Sequence, residues 1–237
     1  IPLKVEEPVP QSLEEGSDYL RFLDLVEDEE KSYALLETRT KMFAVPIDLL
    51  SDTLSFGNAV ELDYDHRLRY YEPSTEEEQR IFLETGDCFV LVGDTLYVTY
   101  WGPSDAMELD SFNILSGEYS PCMLEGLVNI APYKNGKMLI VQAEGGGLYA
   151  KGATFIASIL NPENLEIEEF AKLGDHFDPY PGSKVFYEEK SDSLLYINNM
   201  QIYRLKRDGS EELCGYKPSK CTDLILLNCG KFAGADS

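Results

Sequence analysis

One stretch, Gly86–Cys122, constrains the whole chain: GDCFVLVGDTLYVTYWGPSDAMELDSFNILSGEYSPC. Apolar runs at Phe89–Val92 and Leu96–Tyr100 flank a Gly93-Asp94 turn. A third run, Leu109–Leu115, follows a polar loop and ends at Ser116-Gly117, and a fourth segment returns from there. Runs this short, rich in Val, Tyr, Phe and Thr and punctuated by Gly and Asp, predict strands joined by tight turns. The stretch therefore reads as a four-stranded antiparallel meander.

The pattern recurs. A first module over about Asp18–Tyr64 has candidate strands Tyr19–Val26, Ser32–Glu37, Met42–Ile47 and Ser55–Leu62, with turns at Glu27–Glu30 and Leu49–Asp52. Helix is the rival reading for Asp18–Glu37, because Tyr19, Phe22, Leu23 and Val26 share a helical face. Between modules, Arg67–Tyr71 reads as a short strand and Ser74–Glu78 as one capped helical turn. A third module, about Leu127–Asp175, opens on Asn135-Gly136, the strongest short hairpin signal in the chain. It continues through Met138–Ala143, the connector Gly145-Gly146-Gly147, Thr154–Leu160, a turn at Asn161–Asn164 and Leu165–Leu173. A fourth, about Ser183–Lys217, pairs Lys184–Glu188 with Leu194–Asn198 about Lys190-Ser191-Asp192, then Gln201–Leu205 with Glu211–Cys214 about Arg207-Asp208-Gly209. Leu224–Asn228 reads as the first strand of a fifth module without partner strands. First-hairpin turns near Asp28, Gly93, Gly136 and Asp192 return at intervals of 65, 43 and 56 residues, against about 40–50 for propeller blades. A β-sandwich is the rival, but it does not explain that period. The expectation is an all-β chain: a β-propeller, or an incomplete one, of about four to five four-stranded antiparallel blades over 18–237. The Pro- and Glu-rich residues 1–17 are expected to form an extended acidic linker or tether.

Composition narrows the function. Hydrophobic residues make up 43% of the 237, with 15 Tyr and 11 Phe, which suits a packed strand core and not a disordered chain. The formal net charge of −23 opposes binding to phosphate backbones, so no nucleic-acid partner is expected. No apolar run of about 18 residues is present, so no transmembrane segment is expected. The five cysteines (88, 122, 214, 221 and 229) have no CxxC spacing, and the only histidines are His66 and His176. A zinc site is not expected. Cys88 is expected to be a small buried hydrophobe, and Cys214–Cys221 or Cys221–Cys229 could pair. An acidic, well-solvated surface points to an extracellular or cell-surface setting.

The segments DTLYVTYWG…LDSFNILSGE and YRLKRDGSEE resemble β-propeller repeats of the quinoprotein-like and bacterial surface-protein type, in which a strand ending in a Gly-containing turn closes each blade. The resemblance spans about Asp18–Asn228 and implies a propeller, such as the N-terminal part of a secreted solute-binding lipoprotein. The quinone-binding and catalytic residues of that family find no counterpart here, so no cofactor is implied.

Three constellations are candidates for chemistry. Asp63, Asp65 and His66 could bind a hard cation but lack a calcium-loop pattern, so a solvated turn is the plainer reading and no metal is expected. Asp175, His176 and Asp178, with Tyr180, form the richest polar cluster, GDHFDPY. They suit either acid–base chemistry or an inter-blade loop. Trp101, Tyr100 and Asp105, beside Tyr97, could form a stacking platform for a sugar. The Gly145–Gly147 run lacks the Lys-Ser/Thr of a phosphate loop, and no nucleophile signature is present. The leading expectation is a non-catalytic binding or interaction module of a bacterial secreted or surface-anchored protein, with a carbohydrate, a peptide or another domain of the same protein as partner. The alternatives are a hydrolase or lyase using loop carboxylates and His176, and a scaffold for a C-terminal solute-binding domain.

Overall fold

The computed structural model describes residues 4–5, 21–28, 31–38, 41–50, 53–63, 88–101, 107–144, 153–178, 184–198, 200–216, 221–226 and 232–236. Regular structure among them is strand, apart from one 3-10 turn at Glu189–Ser191. The fold is all-β, a β-propeller made of antiparallel meander sheets. The chain divides into two compact units, Ile1–Ser104 with Leu109–Met123, and Asp105–Glu108 with Leu124–Ser237.

In the first unit, strands β1 (Lys4–Val5), β2 (Arg21–Asp28), β3 (Lys31–Glu37), β4 (Met42–Leu50), β5 (Thr53–Phe56) and β6 (Val60–Leu62) form one sheet. Its order is β1-β5-β4-β3-β2, with β6 also on β4. β1 runs parallel to Thr53–Leu54, so residues 4–5 of the expected tether are paired. Residues 21–28 and 31–37 are strands, not the helix that was the alternative reading for this stretch. A bulge in β2 between Phe22 and Asp24 slips the side-chain alternation by one residue, and that slip mimics helical spacing. The strand expected at Ser55–Leu62 is broken into β5 and β6. Pro46 has no N–H for the ladder, and Gly57 N donates instead to the Pro46 carbonyl at 2.8 Å.

The second meander, β7 (Phe89–Val92), β8 (Thr95–Trp101), β9 (Met107–Asn113) and the start of β10 (Tyr119–Pro132), follows the expected strand sequence. Leu35, Met42, Leu62, Leu91, Leu96, Val98, Phe112 and Ile114 form the core here. Ala34, Phe43 and Val45 pack on the opposite face of the first sheet. β3 and β4 are thus buried on both faces, which is why their sequences read as continuous apolar runs.

In the second unit, the later part of β10 pairs with β11 (Met138–Glu144), followed by β12 (Thr154–Asn161) and β13 (Glu166–Lys172). Next come β14 (Val185–Glu188), β15 (Ser193–Asn198), β16 (Gln201–Lys206) and β17 (Glu211–Tyr216), paired in that order. Asn135 and Gly136 both have positive φ (58° and 65°), the geometry of a type I′ turn. Gly209, at φ 80°, closes the β16–β17 hairpin by donating to Lys206 O at 2.9 Å. The expected unpartnered last strand has a partner: β18 (Cys221–Leu226) pairs antiparallel with β19 (Phe232–Asp236). The low-hydropathy FAGAD segment gave no apolar run from which to expect it.

Cys214 is a free thiol, so the Cys214–Cys221 bridge is not made. Its Sγ lies 3.3 Å from the Ile202 carbonyl instead. Cys88 is half-buried at the entrance to β7, where Thr99 Oγ1 accepts from its N–H at 3.0 Å, so it is not the fully buried hydrophobe expected. Residues 65–71, 74–78 and 145–147 lie outside the described residues.

Candidate functional site

The GDHFD segment, Gly174–Asp178, joins β13 to β14. Leu173 N extends the β12–β13 ladder by donating to Phe155 O at 2.9 Å. The chain then turns tightly, with Phe177 N donating to Gly174 O at 3.1 Å. The turn drives Phe177 inward, where it is 7% exposed, and leaves Asp175 and His176 on the surface.

A row of five rings holds the loop down. Phe155 meets Phe177 edge-on (centroids 5.2 Å apart), and Phe177 meets Tyr196 edge-on (5.5 Å). Tyr196 stacks with Tyr203 (5.4 Å, 16°), and Tyr203 stacks with His176 (4.7 Å, 14°). Tyr196 and Tyr203 face each other as register partners on β15 and β16. The first four rings are buried and His176 is the exposed end. Offset-stacked and edge-on pairs of this kind add about 0.5–1.5 kcal/mol each beyond their area burial. Asn198 Nδ2 donates to the His176 carbonyl at 2.6 Å and fixes the backbone under the imidazole.

Polar groups lock the inner end. The Tyr196 hydroxyl donates to Glu211, and Tyr203 donates to Gln201 Oε1 at 2.7 Å. Burial, and then the Glu211 carboxylate, raise Tyr196 well above the ordinary tyrosine range, so it stays a donor. A Cβ on Gly174 would lie 2.8 Å from Glu211 Oε2, so the loop crosses close to the carboxylate and a side chain there would have to displace it.

A second polar cluster ties neighbouring sheets of the same unit. Arg207 donates from Nε to Asp192 (2.8 Å), from Nη1 to Glu168 (3.3 Å) and from Nη2 to the Tyr133 hydroxyl (2.9 Å), and it lies 4.7 Å from the Phe170 ring centroid. Tyr133 and Tyr187 are in ring contact at 4.2 Å, and Lys134 Nζ sits over both. The Tyr187 hydroxyl, and then Arg207, hold the Asp192 carboxyl below its usual range. Arg204 similarly bridges Glu188 (3.1 Å) and Glu212 (3.0 Å). These ionisable groups are spent on each other.

Of the expected site residues, the structure places Asp175, His176 and Asp178 in one loop, with Asp178 half-buried. Trp101 and Tyr100 end strand β8, and their side chains lie outside the described residues. Asp105 and Tyr180 lie outside them altogether, as do Asp65 and His66; Asp63 is exposed. Among the described residues no group of three His, Cys, Asp or Glu could hold a metal ion, and no helix is long and apolar enough to cross a membrane. Tyr203, the ring partner of His176, and Tyr196 and Glu211 behind it were missed as parts of the site. The signal was present in LLYINNMQIYRL: the register that puts Asn198 opposite Gln201 sets Tyr196 opposite Tyr203.

No protein-family model matches the sequence, and no curated protein sequence matches it. Solved structures similar to it include xylan β-1,4-xylosidase from Bacillus halodurans C-125 (13% identity, TM-score 0.49, 88% of this chain and 47% of that one). Another is the Dos1 propeller (8% identity, TM-score 0.45, 87% and 50%). A third is Penicillium chrysogenum α-L-arabinanase complexed with arabinobiose (12% identity, TM-score 0.41, 85% and 64%). The chain spans about half the length of the structures it matches first. The propeller assignment rests on the strand order and meander repeat of this chain.

Proposed function

We propose that this chain is a non-catalytic binding or interaction module of an extracellular or surface-anchored bacterial protein, with the Gly174–Asp178 loop as its ligand contact. The observation that carries the reading is the exposed His176 ring, held parallel to Tyr203 at 4.7 Å and 14°. A ring fixed in this way presents a flat face without losing side-chain entropy on binding, which is what stacking recognition requires. Asp175 beside it supplies an exposed acceptor for hydroxyl or amide donors. Trp101, Tyr100 and Asp105, and separately Tyr180, are proposed as ligand contacts in their own right. The ligand is a carbohydrate or a peptide, or another domain of the same protein, as in a secreted solute-binding lipoprotein.

Glycan and peptide arrays probed with the native chain and with His176→Ala test this. The variant should lose array binding by about fivefold, the size of one exposed stacking contact, while staying folded and losing no more stability than the ~0.5–1.5 kcal/mol of the one ring pair removed. Trp101→Ala tests the second platform in the same way. Turnover of an arrayed glycan or peptide that disappears in both Asp175→Asn and His176→Ala would instead establish the hydrolase or lyase alternative.

A further inference from the structure

The ring row and the charge around it narrow the ligand further, and the narrowing rests on the loop being a binding face. We infer that the exposed end of the row, His176, receives the guanidinium of an arginine presented by a basic partner segment. Three observations converge on it. The imidazole is the exposed terminus of five rings in contact, so a planar group laid on it extends a stack already built. Asp175 and Asp178 flank the imidazole in sequence, and Asp175 is exposed. The chain carries a net charge of −23, which raises the local concentration of cationic partners and repels anionic ones.

A guanidinium fits this combination better than the other cations of a peptide. It is planar, stacks on aromatic faces, is weakly hydrated and pairs with carboxylates through a fixed fork of donors. A lysine ammonium is a strongly hydrated point charge that gains little from a flat ring. The protein already uses this pairing internally, where Arg207 lies over Phe170 while its Nε and Nη1 bond Asp192 and Glu168.

Isothermal titration with three nonapeptides of identical sequence, carrying two arginines, two lysines or two citrullines, tests the inference. Titration with xylo- and arabino-oligosaccharides is run alongside. The arginine peptide should bind at least about fivefold more tightly than the other two. His176→Ala should abolish that preference, His176→Phe should retain it, and Asp175→Asn should weaken it. Binding should also weaken as salt rises. Equal affinity for the three peptides, or an arginine preference unchanged in His176→Ala, would overturn the inference. If a saccharide binds in a His176-dependent way and the arginine peptide does not, the inference fails while the binding-module reading stands. If nothing binds in a His176-dependent way, both fail.

Discussion

Single residues fix the fold where the backbone has no alternative. Gly117 has φ +77°, and a Cβ there would lie 1.9 Å from the Glu61 carbonyl oxygen. Its own carbonyl accepts from Asp63 N at 2.7 Å, so the Ser116-Gly117 turn is seated on the neighbouring sheet of its unit. Gly117→Ala combines left-handed strain with a backbone clash and should cost about 3 kcal/mol or more, read as a lower urea midpoint at unchanged slope. Tyr196 makes a different demand. Burial and then Glu211 raise its pKa, and burial and then Asp192 raise that of Tyr187. The unfolded chain releases these protons near pH 10 while the folded chain keeps them. Their contribution is therefore complete below about pH 10 and falls as pH rises through the folded value. Tyr196→Phe should lose about 1 kcal/mol at pH 8 and show a shallower decline of stability between pH 9 and about 11 in urea titrations.

At the scale of elements, the hairpin turns that punctuate the sequence are also the joints between sheets. In the first unit the Asp28 carboxylate takes the Gly93 N–H and Lys31 pairs with Asp94, while in the second Lys134 and Arg207 meet Asp192. Asp28, Gly93 and Asp192 are the turn positions from which the module period was read. The polar residues that end strands thus serve a second purpose across the gap between sheets. Arg207→Ala removes three hydrogen bonds and a ring contact at a half-exposed site and should cost about 1–2 kcal/mol. Arg207→Lys should rescue little, because the ammonium lacks the fork. A double-mutant cycle with Asp192→Asn, measured by thermal unfolding, isolates the shared part. Acid should erode that part, since a depressed carboxylate stabilises above its ordinary pKa and stops doing so as pH falls through the folded value.

Most of the strand succession among the described residues was legible because turn chemistry is local. Asn135-Gly136, Gly93-Asp94 and Asp208-Gly209 each marked a hairpin that forms. A one-residue bulge near Leu23 gave the expected strand a helical rival, because a phase slip in a period of two resembles a period of 3.6. Two things were hidden, each for a physical reason. The split at Gly57 depended on Pro46, eleven positions earlier and only adjacent across the sheet. Partner choice within the site was hidden too. Composition and adjacency marked GDHFD as polar, but the rings that hold it lie on other strands, and sequence order does not give that proximity. Charge acts on the chain as a whole. At −23 the folded state repels itself, and raising salt from about 0.01 to 0.15 M shortens the screening length from about 30 to about 8 Å. The melting temperature should therefore rise by several degrees over that range. A fall would show that the ion pairs around Arg207 and Arg204 outweigh self-repulsion.

The stack of His176 on Tyr203 also has a magnetic consequence. Each ring lies within the circulating-electron field of the other, so imidazole protons held over the tyrosine face resonate away from their solvent-exposed positions. Only two histidines occur in the chain, His66 and His176. The aromatic proton spectrum therefore carries two imidazole signatures, and the one that His176→Ala removes reports, without any label, whether the Gly174–Asp178 loop is seated on its sheet.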